Sequence, residues 1–398
     1  MARPMQVMWY INPNDGPFPW SPKGRIQADL ARSREIAVTL DRRGFYGTLT
    51  VGRSPLVETA SWVPLTEKLR FLIPIYPGVT PPMQLAQHAK LFDSISGGRF
   101  LLNQVNGTDS ILKSYGVDVP SDERYAMSEE YWTLFKRLYN SDMTPYEGKY
   151  FHYSGSPINN LPPGSQSDIW VQDPYTPIWG SGNSPAAIKQ AGELLDVYLA
   201  HMFRPDRLNV QFEAARTIAR QKGRTLGTGV LANIIVRKTE EEAWDHARWV
   251  LEQTGVEQIV RQIEQRLKTG RYNPALGTRE PGGFEALTSD DPMIKSRLDA
   301  LRNGRLPDVR ALESYPNVWA GPTSWGALDV LEQGWGSYLV GSAQNVAERM
   351  REMQEVYGID AFILAGWPSL EEVNRVADLL LPLLELDTSP PKLQRSTD

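Results

Sequence analysis

Short apolar runs alternate with amphipathic stretches along most of the chain. Runs of about 4–8 apolar residues read as buried strands, and apolar positions three and four apart read as a helix face. Met5–Ile11 (MQVMWYI), Phe45–Val51 (FYGTLTV), Leu69–Tyr76 (LRFLIPIY) and Phe100–Val105 (FLLNQV) give four predicted strands. A helix over Gln27–Arg43 separates the first two, and one over Pro82–Ile95, stopped by Gly97-Gly98, precedes the fourth. Asp122–Tyr139 predicts another helix, followed by a small aromatic excursion at Tyr150–Ser154. The alternation resumes with the strand Pro177–Trp179, a helix from Pro185, the strand Asp196–His201, a helix from Pro205 and the strand Val230–Arg237. Ala361–Ala365 (AFILA) is the eighth predicted strand, followed by a helix over Leu370–Leu384.

Eight buried strands, most followed by a helix, imply a parallel α/β architecture. A closed (β/α)8 TIM barrel accounts for the count, and an open doubly wound sheet is the alternative. The expected organisation is one barrel domain over residues 1–386 with a flexible C-terminal tail at 387–398. Residues 239–337 break the alternation and are far longer than a βα connection needs. An insertion after strand seven lies on the face where barrel active sites sit, so it reads either as a lid or as a surface for subunit packing.

Composition narrows the function. The net charge of −5 carries no basic excess, which disfavours a nucleic-acid partner. With no cysteine, disulfides, thiolate metal sites and a catalytic thiol are excluded. The four histidines, His88, His152, His201 and His246, show no zinc-ligand spacing, so no metal is expected. No apolar run reaches membrane-span length and the N-terminus lacks a signal-peptide core, so a cytoplasmic enzyme is the expectation.

Ser181-Gly182-Asn183-Ser184-Pro185 places Ser184 at an N-cap and Pro185 at the first helical position. Exposed N–H groups and the positive end of a helix dipole there suit a phosphate, although a plain capped helix has the same signature. His201, at a predicted strand end, suits acid–base chemistry near neutral pH or a satisfied structural role.

Several blocks together resemble the bacterial-luciferase-like flavin-dependent monooxygenases: ISGGRFLLNQVNG at 95–107, DERYAMSEEYW at 122–132, GNSPAAIKQAGELLDVYL at 182–199, NIIVRKTEEEAW at 233–244, YPNVWAG at 315–321, and the C-terminal stretch 339–384. They cover nearly the whole chain in order, and the alkanesulfonate monooxygenases are the subgroup they most resemble. The resemblance implies reduced FMN and O2 as co-substrates and a C4a-(hydro)peroxyflavin that oxygenates a small organic substrate, with C–S or C–N cleavage as one outcome. It also implies a separate NAD(P)H-dependent flavin reductase and a homodimer or homotetramer. The implied cofactor contacts are Thr50, Val51, Asn103, Asn106, Arg124, Tyr125, Ser181, Gly182, Asn183 and Ser184. Asn106 also reads as a loop cap and Arg124 as a brace of the fold. Trp9, Asn14, Trp335 and Trp367 are candidate substrate-pocket residues, and His201 and Asn233 candidate catalytic ones.

The sequence departs from the subgroup where its strand-seven Arg and His are matched by Leu231 and Asn233. His201 stands for its strand-six Trp, Asn14 for a His near strand one, and its Cys after strand two is absent near Pro55. Losing the arginine fork weakens the case for a sulfonate, unless Arg271 or Arg279 substitutes. Two further readings share the fold: a deazaflavin-dependent hydride-transfer oxidoreductase and a non-catalytic flavin-binding protein. An aromatic-rich pocket also suits a planar, flavin-like heterocycle as substrate.

Overall fold

The computed structural model describes residues 4–27, 29–155, 170–268, 283–323, 328–332, 334 and 336–395. Eight parallel strands close into a (β/α)8 barrel. They are β1 (Gln6–Ile11), β2 (Gly47–Thr50), β3 (Arg70–Ile75), β4 (Phe100–Gln104), β5 (Ile178–Ser181), β6 (Val197–His201), β7 (Gly227–Arg237) and β8 (Ala361–Ala365). The chain groups into two compact units: residues 1–45, 200–211 and 228–387, and residues 46–199, 212–227 and 388–398.

In the first unit β8 lies between β1 and β7, with Trp9 opposite Leu364 and Asn233 opposite Ala365. The 11-residue β7 outruns β8, and its carboxyl half, Asn233–Arg237, also pairs with the strand Tyr338–Ser342. Sequence reading predicted no strand there, just past the end of the insertion at residue 337. The insertion is largely regular: the described part holds helices over Glu240–Thr254, Val256–Lys268 and Pro292–Arg302, and a short antiparallel pair, Glu313–Tyr315 with Val318–Trp319. Trp20, Trp244, Phe284, Trp319, Tyr338 and Trp367 belong to one apolar core under it. Helix α1 (Leu30–Arg42) starts three residues later than the predicted Gln27, because Gly24–Gln27 pairs with Asn14–Phe18 and Asp29 caps the helix through the Arg32 N–H. The last helix runs over Ser369–Leu379, shorter than predicted, and gives way to a 3-10 turn at Leu381–Leu383, where Pro382 has no N–H to offer.

In the second unit β2 to β6 pair in sequence order, with Leu49 opposite Leu72, Leu72 opposite Leu101, Leu102 opposite Ile178 and Gly180 opposite Tyr198. Helix α2 (Pro82–Ser96) stops at Gly97, which takes φ +70° as its left-handed cap. Helix α3 (Arg124–Tyr139) begins two residues after the predicted Asp122. Strand β5 extends to Ser181, two residues beyond the predicted end.

The C-terminal tail corrects an expectation. Rather than hanging free, Leu393–Arg395 pairs antiparallel with Trp170–Gln172, and the Asp173 N–H donates to the Lys392 carbonyl at 3.1 Å. An exposed strand edge gains backbone partners this way.

Fully buried Asp93 on α2 ties the unit together: it accepts from Tyr139 Oη (2.7 Å), Thr176 Oγ1 (2.9 Å), Gln172 Nε2 (2.8 Å) and the Gln172 N–H (3.2 Å). Burial still raises its pKa, with those donors pulling the other way. Asp93→Ala strands buried donors, so urea unfolding is expected to show a loss of about 3 kcal/mol.

Candidate cofactor and active site

The loop after β5 meets helix α4 (Pro185–Leu194) at Ser184. Ser184 adopts extended backbone, and its Oγ accepts from the Ala187 N–H at 3.2 Å and donates to Tyr125 Oη at 3.2 Å. Gly182 has φ +154°, and a Cβ there would stand 2.5 Å from Ala187 Cβ and 3.4 Å from Tyr125 Oη. Only glycine keeps that hollow open. The buried Tyr198 hydroxyl donates to the Gly182 carbonyl and fixes the loop, and burial drives the Tyr198 pKa well up, with Tyr125 adding to it. Ser181 and Asn183 flank the hollow and are exposed.

The other end of α4 is held by cations. Lys136 Nζ donates to the Leu194 carbonyl (3.2 Å), and Arg224 donates to the carbonyls of Gly192 (3.0 Å), Leu194 (3.2 Å) and Leu195 (2.7 Å). Burial pushes Lys136 down to about 8, with Asp196 countering. Positive charge here satisfies the helix carbonyls and complements the dipole, leaving the N-terminus for an anion.

Beside this lies a row of amides at the end of β4. Gln104 and Asn106 both donate to Gln190 Oε1 on α4, at 2.5 and 3.0 Å, and Gln190 Nε2 donates to the Tyr125 carbonyl at 3.2 Å. The carbonyl oxygens of Asn103, Gln104 and Asn106 are buried and meet no donor among the described residues. Buried acceptors of this kind call for a donor-bearing ligand or water. Arg124 donates to the Gly107 carbonyl at 2.7 Å and braces the loop after β4. Thr50 is buried at the end of β2, 3.4 Å from Thr48 Oγ1, and Val51 follows it half-buried. The structure therefore gathers Asn106, Tyr125, Gly182 and Ser184. Sequence reading missed Gln104, Gln190 and Tyr198, whose signal is a polar residue at an apolar position of its element.

In the first unit Asn233 is 0% exposed; its Oδ1 accepts from Trp367 Nε1 at 3.3 Å, and its Nδ2 has no partner among the described residues. Its backbone N–H donates to Ser337, whose buried Oγ is also unpartnered. Trp9 is no pocket wall: it is 0% exposed, donates to Ser369 Oγ at 2.9 Å and meets Phe45 edge-on. Asn14 opens the Asn14–Phe18 strand, with its N–H on Asn12 Oδ1 at 2.9 Å. His201 is exposed at the end of β6. Trp335, Arg271 and Arg279 lie outside the described residues. A small cavity between Trp20, Tyr338, Trp367, His246 and Glu372 adjoins this group. Glu372 is buried, which raises its pKa, and Arg237 (3.0 and 3.2 Å) and Arg375 neutralise it. The same burial, helped by the two arginines, pushes His246 down to about 4.

Carboxyl strand ends carrying a glycine-shaped helix N-terminus and orphaned acceptors fit the usual site of a parallel barrel. The family described as luciferase-like monooxygenase matches residues 5–359. The chain belongs to that family. Among solved structures of similar fold are a riboflavin lyase, RcaE, determined with modified FMN and its substrate riboflavin (16% identity, 98% of this chain and 94% of that one, TM-score 0.71). A long-chain alkane monooxygenase, LadA, matches at 18% identity over 98% of this chain and 95% of its own, with a TM-score of 0.72. DmoA from Hyphomicrobium sulfonivorans matches at 18% identity over 98% and 91%, with a TM-score of 0.70. At these identities the likenesses establish the luciferase-like fold alone. Among the described residues no helix is long and apolar enough to cross a membrane.

His246 gives a pH signature. Pushed down to about 4, its folded pKa lies below the ordinary histidine value of 6.5, so the stability of the neutral form is complete above pH 6.5 and is lost as pH falls towards 4. Between those limits the wild type should lose on the order of 2 kcal/mol relative to His246→Phe, measured by urea unfolding at each pH.

Proposed function

We propose that this chain is a flavin-dependent monooxygenase that binds reduced FMN and uses O2 to oxygenate a small organic substrate. The observation that carries the proposal is the pairing of a capped, glycine-hollowed helix N-terminus with two buried acceptors on one face of β4, Gln104 Oε1 and Asn106 Oδ1, that lack donors among the described residues. The first matches a phosphate, and the second matches a chain of hydroxyl groups.

Gly182, Asn183, Ser184 and Tyr125 would hold the phosphate. Gln104 and Asn106 would take the hydroxyl-bearing chain, and Asn103, on the opposite face of β4, would meet the ring system with Thr50 and Val51. Reduced flavin supplies the two electrons needed to place one oxygen atom in the substrate and release the other as water. Asn233 Nδ2 is a free donor for an acceptor group, and Trp367 holds the other end of that amide. His201 is the side chain we assign to proton transfer.

Leu231 and Asn233 in place of a fork-shaped cation favour a neutral or planar substrate over a sulfonate. Oxygenation at a carbon bearing sulfur or nitrogen would lead to C–S or C–N cleavage. A separate NAD(P)H-dependent reductase as the source of reduced FMN, a cytoplasmic setting and a homo-oligomer complete the proposal. So does a lid role for residues 239–337.

Anaerobic protein loaded with reduced FMN and mixed with oxygenated buffer is expected to show a transient spectrum belonging to neither reduced nor oxidised flavin. Oxidation at the rate of free flavin, with no transient, points away from oxygen activation and towards deazaflavin hydride transfer or simple flavin binding. Gly182→Ala fills the hollow and should weaken reduced-FMN binding about tenfold or more in an anaerobic titration; because the new Cβ also meets Ala187, the melting temperature should fall as well.

A further inference from the structure

We infer that Gln190 is a positioning residue that sets the polarity of the β4 amide row, so that the row recognises a hydroxylated chain; the inference rests on the flavin reading above. An amide side chain can turn either end towards a partner, and only its surroundings decide which. The decision begins at Tyr125, whose backbone carbonyl can only accept. Gln190, on α4 and nearly fully buried, meets that carbonyl at 3.2 Å and so must offer its NH2 group. Its Oε1 then faces the opposite way, as an acceptor. Gln104 Nε2 and Asn106 Nδ2 both lie within reach of that one oxygen, at 2.5 and 3.0 Å, and both must donate to it.

The outcome is that the carbonyl oxygens of Gln104 and Asn106 are turned away from Gln190. Both are buried and without a donor among the described residues, whereas Asn103, the adjacent strand residue, points to the opposite face of β4 and lies outside this row. A ligand reaching this row must therefore bring donors. Hydroxyl groups do so, whereas an alkyl chain would leave the acceptors desolvated and unpaired. Because Gln190 sits on the helix whose N-terminus carries the phosphate hollow, one residue links the register of that hollow to the polarity of the chain site.

The test is anaerobic titration with two probes: reduced FMN, and a reduced flavin phosphate whose side chain has no hydroxyl groups. Apo-protein melting is recorded alongside. Wild type should prefer FMN by about tenfold or more. Gln190→Met frees both amides to turn, and the preference should fall to about threefold or less. Gln190→Glu still accepts from Gln104 and Asn106 and should keep most of the preference, an effect that a loss of packing alone would not reproduce. An unchanged preference in Gln190→Met overturns the inference while leaving flavin binding intact. Failure of wild type to bind reduced FMN overturns the flavin reading, and the inference with it. Should Gln190→Met not fold, Gln104→Met and Asn106→Ala remove the acceptors singly. Each should lower the preference, and no change in either overturns the inference.

Discussion

Helix α4 is pinned at one end and open at the other, and the candidate site depends on that asymmetry. Lys136 and Arg224 satisfy the carbonyls at its C-terminus. Ser184 uses one N-terminal N–H, and the Gly182 hollow leaves room beside the rest. Gln190, on the buried side of the same helix, reaches Tyr125, Gln104 and Asn106. Rotation or sliding of α4 would disturb the phosphate hollow, the amide row and the start of α3 together. The Gly182–Ser184 loop and the amide row are therefore held by one helix rather than as separate contacts, which is how a barrel scaffold gives precision to a loop-built site.

The first unit follows a different rule. Its polar groups are buried in an aromatic setting and are paired incompletely. Glu372 is held between Arg237 and Arg375, His246 is kept neutral, and Asn233 keeps one amide end on Trp367 while the other has no partner among the described residues. A buried unpaired donor is costly, and proteins tend to keep such groups where a ligand uses them. Trp9 shows the contrast. It too sits on a strand, but its indole N–H is satisfied by Ser369 and its ring is fully covered, so it packs the core.

Most of the barrel was legible in the sequence because each strand is a short apolar run bounded by turn residues. Element ends were less so, since they are decided by caps and pairing: Asp29 and the Gly24–Gln27 strand delay α1, and Pro382 ends the last helix early. Tyr338–Ser342 escaped notice because its partner is the far half of an overlong strand, which period and length do not reveal. The loop Gly182–Ser184 was readable from its capping chemistry. The amide row was not, because Gln104 and Gln190 acquire meaning only when β4 and α4 come together. In the tail, Leu393–Arg395 looks polar and loose as a string, yet it completes the edge at Trp170–Gln172.

The central claim is that the α4 N-terminus binds the phosphate of a reduced flavin. Comparing reduced FMN with reduced riboflavin in anaerobic equilibrium titrations isolates that one group. The account predicts that FMN binds at least about tenfold more tightly, and that the difference shrinks as salt is raised. Equal affinity for the two flavins, or no binding of either, would contradict it.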